Sequence, residues 1–129
     1  MVGEHRSSMK CRVLVVEDDE VSCHAMRALL TRWGYEVRSC STTAGALDEI
    51  MRHRPQCLIL DLMLQDTSGV EVLRTIRRRE MPIHVAIVTG LHDAEPMREV
   101  RDLKPDVIIR KPVDLGVLRR WLEASEPSE

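Results

Sequence analysis

No apolar run in these 129 residues approaches the roughly 20 that a membrane-spanning helix needs, and residues 1–10 hold no apolar stretch of the kind a secretory signal carries. Neither membrane insertion nor secretion is expected, and the location expected is cytoplasmic. There is no C-x-x-C pair either. Cys11, Cys23, Cys40 and Cys57 stand apart, two of them beside apolar runs, which is how reduced, packed thiols are distributed. Charge of one sign is also missing: Lys+Arg 19 against Asp+Glu 21 leaves a net charge of -2. That balance provides no basic field to draw nucleic acid and no acidic tail. The histidines, His5, His24, His53, His84 and His92, lack H-E-x-x-H spacing. The three arginines Arg77-Arg78-Arg79 are too few for a nucleic-acid patch and suit a solvated helix C-terminus.

What is present is alternation. Short β-rich runs and helical patterns follow one another five times with no linker between them, which predicts one α/β domain with a parallel sheet and helices on both faces. The expected division is a flexible N-terminus over 1–10, one domain over 11–124 and a frayed tail over 125–129. Strand one is read at Arg12 to Val16. Helix one runs from about Glu20 to Trp33, with Val21, Ala25, Ala28 and Leu29 as its apolar stripe and Gly34 at its end. A half-exposed strand follows over Tyr35 to Cys40, and then Ser41 or Thr42 caps a helix carrying Ala46, Leu47, Ile50 and Met51. Strand three is Cys57 to Leu60. Asp66 to Gly69 reads as loop and cap before a helix striped by Val70, Leu73 and Ile76. Strand four is Ile83 to Val88. Pro96 suits the first position of a short fourth helix ending near Leu103, strand five is Val107 to Ile109, and Leu115, Leu118, Trp121 and Leu122 stripe the last helix.

The polar residues that end these apolar runs carry the chemistry. Glu17 and Asp18 follow Val13-Leu14-Val15-Val16, Asp61 follows Leu58-Ile59-Leu60, Thr89 follows Val85-Ala86-Ile87-Val88, and Lys111 comes just after Val107-Ile108-Ile109. In an open parallel sheet the ligand crevice lies outside the carboxyl ends of the strands, so five functional groups converge there. Three carboxylates in one crevice demand a cation, and hard oxygen ligands suit Mg²⁺ (or Mn²⁺). A carboxylate attacks an anionic phosphoryl donor only when metal and lysine offset the repulsion, so the pattern reads as a phosphorylation site at Asp61. Taken singly, Glu17-Asp18-Asp19 is a solvated turn, Asp61 a strand-end carboxylate and Lys111 a surface cation. Their joint placement argues otherwise.

With these motifs, Val-Val-Glu17-Asp18, Leu-Ile-Leu-Asp61, Ile-Val-Thr89-Gly90 and Lys111-Pro112, the chain resembles the receiver domain of two-component response regulators from about Arg12 to Ala124. The resemblance implies a doubly wound, flavodoxin-like (βα)5 sheet of five parallel strands in the order 2-1-3-4-5. It implies that Asp61 is the phosphoacceptor, that Asp18, Asp61 and the Met63 main-chain carbonyl ligate the metal, and that Glu17 acts through a metal-bound water. Thr89 and Lys111 then bind phosphoryl oxygens, and the bond before Pro112 is cis. The implied partners are a sensor histidine kinase or histidine phosphotransfer domain, and a downstream protein docking on the face of the fourth helix, fifth strand and fifth helix. No direct nucleic-acid binding, no enzyme activity beyond the domain's own phosphorylation cycle and no following effector domain are expected.

Departures from the family pattern matter. The aromatic switch position, three residues before the lysine, is Ile108, whose β-branched side chain is stiff at χ1 and cannot swing a ring between pockets. A proline usual in the loop after the aspartate is Gln65 here. Met63 and Leu91 occupy the two positions that position the hydrolytic water in many receivers, and neither hydrogen-bonds water well, so a long-lived aspartyl phosphate is expected. Two alternatives stand beside this reading. One is a receiver-like interaction module that does not cycle phosphate. The other is an aspartate-nucleophile phosphatase of the haloacid dehalogenase type, which wants an acid where Met63 stands.

Overall fold

Alternation along each strand sorts the apolar side chains into two layers, and that sorting organises the whole molecule. The structure, a computed structural model, describes residues 11–64, 68–90 and 94–126, with backbone alone for 94–96. The strands are β1 (Arg12–Val16), β2 (Glu36–Cys40), β3 (Cys57–Asp61), β4 (His84–Thr89) and β5 (Val107–Arg110). The helices are α1 (Glu20–Arg32), α2 (Thr43–His53), α3 (Val70–Arg78), α4 (Ala94–Asp102) and α5 (Leu115–Ala124). All strand pairs are parallel, in the order β2-β1-β3-β4-β5, so the expected doubly wound sheet is what forms.

On one face Leu14, Leu58, Leu60, Val85 and Ile87 pack under α2, α3 and α4, and on the other Val13, Val15, Ile59, Ala86 and Val88 pack under α1 and α5. Every residue of β3 is buried, as its position in the middle of the sheet requires. The edge strand β2 is half exposed, as its alternation predicts. All four cysteines are free thiols, with Cys11 and Cys57 buried. Among the described residues no helix is long and apolar enough to cross a membrane.

Several boundaries and faces differ from the sequence reading. Of the two caps expected for α2, Thr42 is the one used, its hydroxyl accepting from the Gly45 amide at 3.0 Å, so no departure arises there. Helix α4 begins at Ala94, so Pro96 is the third helical residue rather than the first. This costs nothing, since amides of the first helical turn have no intrahelical acceptor. Helix α1 ends at Arg32 with Trp33 as its cap, and Gly34 then takes φ 96°, the left-handed conformation its terminal role needs.

The buried stripe of α1 is also rotated from the one expected. Leu30 is its buried residue, with Cys23, Met26 and Trp33 packed beside it, while Val21, Ala25 and Ala28 are exposed and Leu29 is half-buried. Leu30, Met26 and Trp33 remove far more apolar surface from water than two alanines do, so the helix seats the larger residues. Ser125, expected in the frayed tail, is buried: its hydroxyl donates to the Trp121 carbonyl at 2.8 Å, and its own carbonyl accepts from Cys11 Sγ at 3.2 Å. Readings placed on 1–10, 65–67, 91–93 and 127–129, including those for Gln65, Asp66, Thr67 and Leu91, lie outside the described residues.

Candidate phosphoryl and metal site

Strand register places the functional groups side by side. Leu60 pairs with Val16 and Asp61 pairs with Val88, so Glu17 and Asp18 leave β1 next to Asp61, while Thr89 sits one step past Asp61's partner on β4. One carboxylate oxygen from each of Glu17, Asp18 and Asp61 lies within 4.8 Å of the other two. Lys111 Nζ reaches this group from beyond β5, at 2.7 Å from Asp61 Oδ2 and 3.4 Å from Glu17 Oε1. The Lys111 amide donates to the Thr89 carbonyl at 2.9 Å, and the Lys111-Pro112 peptide is cis. Thr89 is fully buried.

Local hydrogen bonds hold the carboxylates in place. Asp61, only 4 % exposed, accepts on Oδ1 from the Met63 amide at 2.9 Å, leaving Oδ2 to the lysine. Glu17 Oε2 accepts from the Asp19 amide at 3.1 Å. Asp19 caps α1, accepting from the Ser22 amide at 2.9 Å, and hydrogen bonding from Ser22, its side chain first and its amide second, holds the carboxyl below the usual range. Burial pushes the Glu17 carboxyl above the ordinary range; the Asp19 amide works against this, and Asp61 adds to it. Burial alone disfavours the Lys111 ammonium, but the hydrogen bond and charge of Asp61, with Glu17, more than offset it and raise the lysine above its usual value.

The chemistry follows from the donor set. Three carboxylates against one ammonium leave the cluster net negative, and a hard divalent cation with its own waters fits that arrangement. Met63 is 57 % exposed. Ile108 lies beside Ile87 and packs, half-buried, against the layer under α2, α3 and α4.

Gly69 is a residue whose role the sequence reading missed. A Cβ on it would lie 2.4 Å from the Asp61 carbonyl oxygen, so only glycine lets the loop pass behind the acid. Its amide donates to the Leu62 carbonyl at 3.0 Å, closing that loop. A glycine next to the first apolar residue of α3 was the available signal, and it reads equally well as an ordinary helix cap.

Fold and cluster together define an α/β module with a cation-seeking carboxylate pocket at the carboxyl ends of its strands, beside a committed lysine. Residues 13–123 match the family profile of the response regulator receiver domain. The chain is 34% identical over 117 residues to the regulatory protein VanRB of Enterococcus faecalis, covering 90% of this chain and 52% of that protein. It is 36% identical over 113 residues to the transcriptional regulatory protein KdpE of Mycobacterium tuberculosis, covering 88% of this chain and 50% of that one. A crystal structure of a response regulator receiver protein from Pseudomonas putida superposes with a TM-score of 0.83 at 30% identity, covering 89% of this chain and 97% of that one.

The chain belongs to the response regulator receiver domain family, the phosphoaccepting signalling domain of two-component systems. It spans about half the length of these curated relatives. Receiver domains bind Mg²⁺ at an acidic pocket, and Glu17, Asp18 and Asp61 form one.

Proposed function

We propose that Asp61 accepts a phosphoryl group from the phosphohistidine of a sensor histidine kinase or histidine phosphotransfer domain, in the cytoplasm. Lys111 at 2.7 Å from Asp61, inside a cluster of three carboxylates, is the observation that carries this reading. Asp18 and Asp61, with the Met63 carbonyl, would hold Mg²⁺ (or Mn²⁺), and Glu17 would hold it through a water. Bound there, the ion supplies positive charge to the phosphoryl oxygens and offsets the repulsion between anions.

In the transfer an Asp61 oxygen forms a bond to phosphorus as the bond from phosphorus to the histidine nitrogen breaks. The electron pair leaves with the imidazole, which takes a proton from solvent. Lys111 passes from Asp61 Oδ2 to a phosphoryl oxygen, and the Thr89 hydroxyl donates to another. Since Ile108 offers no ring to follow Thr89, the change travels through the chain after Thr89 into α4, and the α4, β5 and α5 face presents it to a downstream protein.

The test is incubation with acetyl phosphate, or with beryllofluoride, in the presence of Mg²⁺. Wild type takes up label and Asp61→Asn does not; EDTA abolishes uptake by wild type. Equal labelling of both proteins, or none in either, defeats the proposal. The Met63 thioether is a poor hydrogen-bond partner for a hydrolytic water, so phosphate release from labelled wild type runs over many minutes, and release within seconds contradicts that lifetime.

A further inference from the structure

The arginines near the C-terminal ends of α2 and α3 sort into two sets. Arg38 pairs with Glu49 at 2.6 Å, Arg52 with Asp48 at 3.1 Å and Arg78 with Glu71 at 3.6 Å. Arg77 donates to the Leu103 and Lys104 carbonyls at 2.7 and 2.8 Å. Arg12, Arg54 and Arg79 form the other set, and among the described residues none of the three is in an ion pair. Arg12 Nη2 donates to the Arg54 carbonyl at 2.6 Å, and Arg79 Nη1 lies 3.8 Å from the Met51 sulfur. These three line one groove of about 350 Å³ between the last turns of α2 and α3. Glu80 is the one acid among the described residues that line it, so the groove is locally positive on a chain whose net charge is -2.

The floor of the groove is apolar. Ile50 and Ile83 are buried there, Met81 is half-buried and Met51 is 51% exposed. Methionine is unbranched and polarisable, so it moulds itself to the apolar group it meets. The walls are fixed. Arg54 and Glu80 turn the chain out of the two helices at φ 47° and 52°, and Pro55 and Pro82, whose rings lock φ, follow them. Gln56 ties the neighbouring strands, its amide donating to the Arg12 carbonyl and its carbonyl accepting from the His84 amide, both at 2.9 Å. A groove held in this way loses little freedom on binding. Shape and charge then select the occupant. A concavity that takes one or two side chains suits a peptide better than a flat lipid surface, and no aromatic side chain lines it on which a nucleobase could stack. Guanidinium forks match carboxylates in two-point hydrogen bonds.

We propose that this groove binds an acidic peptide segment of a partner protein, with an aliphatic side chain seated on Met51 and Met81 and the carboxylates flanking it held by Arg54 and Arg79. The groove lies at the end of the sheet opposite the carboxylate cluster. Gln56, which lines it, precedes β3, and the four residue steps from Cys57 to Asp61 span about 13 Å. A segment seated there leaves Asp61 open to its phosphoryl donor, and the proposal stands independently of the reading of Asp61 as phosphoacceptor.

The probe is a short synthetic peptide of two leucines flanked by glutamates, titrated into wild type, Met51→Ser and the double variant Arg54→Glu/Arg79→Glu. All three positions are exposed, so the variants fold. In wild type the methyl resonances of Met51, Met81 and Ile83 move, and those of Leu118 and Leu122 under α5 do not. Affinity falls by about tenfold or more in the double variant and by about threefold in Met51→Ser, and it weakens as salt is raised. A peptide with lysine in place of glutamate does not bind. Still methyls at Met51 and Met81 with the peptide at millimolar concentration, undiminished affinity in the double variant, or equal binding of the lysine peptide overturns the proposal. Wild type that sediments with phosphatidylglycerol vesicles, under conditions where the double variant does not and the peptide moves no methyl, would show that the groove faces lipid, and the proposal falls.

Discussion

Helices α1 and α3 each follow a strand whose end carries carboxylates of the candidate site, yet they are built in opposite ways. The nine residues of α3 bury Val70, Val72, Leu73 and Ile76, whereas the thirteen of α1 bury Leu30 alone. Asp61 therefore sits on a rigid support, with Gly69 packed against its carbonyl and α3 locked into the core behind it. Glu17 and Asp18 lead into a helix whose first turn is open, and Val21 there is 78% exposed. The difference separates two jobs. A nucleophile must be held in one geometry for chemistry to be efficient. A helix that meets other proteins keeps apolar side chains available at its surface.

The largest expected effect tests the rigid side. Leu73 is fully buried in α3, and Leu73→Ala costs about 2–5 kcal/mol of unfolding free energy in denaturant titrations. A loss below about 1 kcal/mol would mean that the layer under α3 collapses around the gap and is not the rigid support described. A smaller effect comes from Gly69→Ala. The added methyl must push the loop off the Asp61 carbonyl, at a cost of about 1–3 kcal/mol. Labelling by acetyl phosphate falls with it, because the Met63 amide that holds Asp61 Oδ1 belongs to the displaced loop. Unchanged labelling would show that the acid does not depend on that support.

How much of this was legible in the sequence depends on how local each cause is. Strands β1, β3 and β4 are buried on both faces, so their apolar runs announced them and the polar residues that end them. The ends of β3, β4 and β5 shifted by a residue, since Asp61, Thr89 and Arg110 join the ladders through register that no single run displays. The exposed stripe of α1 misled because Val21, Ala25, Ala28 and Leu29 keep helical spacing as faithfully as Cys23, Met26, Leu30 and Trp33 do. Only residue size, weighed against the sheet below, decides which stripe is seated. The cap of α3 hid the closeness of Gly69 to Asp61, a contact across the loop. Arg77 reaching Leu103 spans 26 residues, and nothing near either end of that contact marks it.

The smallest effect on stability is expected on the open side, and there the functional effect should be the clearer one. Val21 on α1, Met63 after β3 and Leu115 at the start of α5 are 78%, 57% and 48% exposed, and each stands within a turn or loop of a strand end that carries the site. Replacing Val21 by Ser removes a side chain that buries almost nothing in the resting protein, so unfolding free energy changes by less than about 0.5 kcal/mol. Labelling by acetyl phosphate, which on the proposed reading draws only on Asp61, the metal and Lys111, is unchanged. Transfer from a phosphorylated histidine kinase requires the two surfaces to meet, and it slows by about tenfold as apolar contact is lost from the interface. Equal slowing with both donors would place Val21 in the support of the site and erase the contrast between the two helices. No slowing with either would leave Val21 outside the surface that meets the kinase.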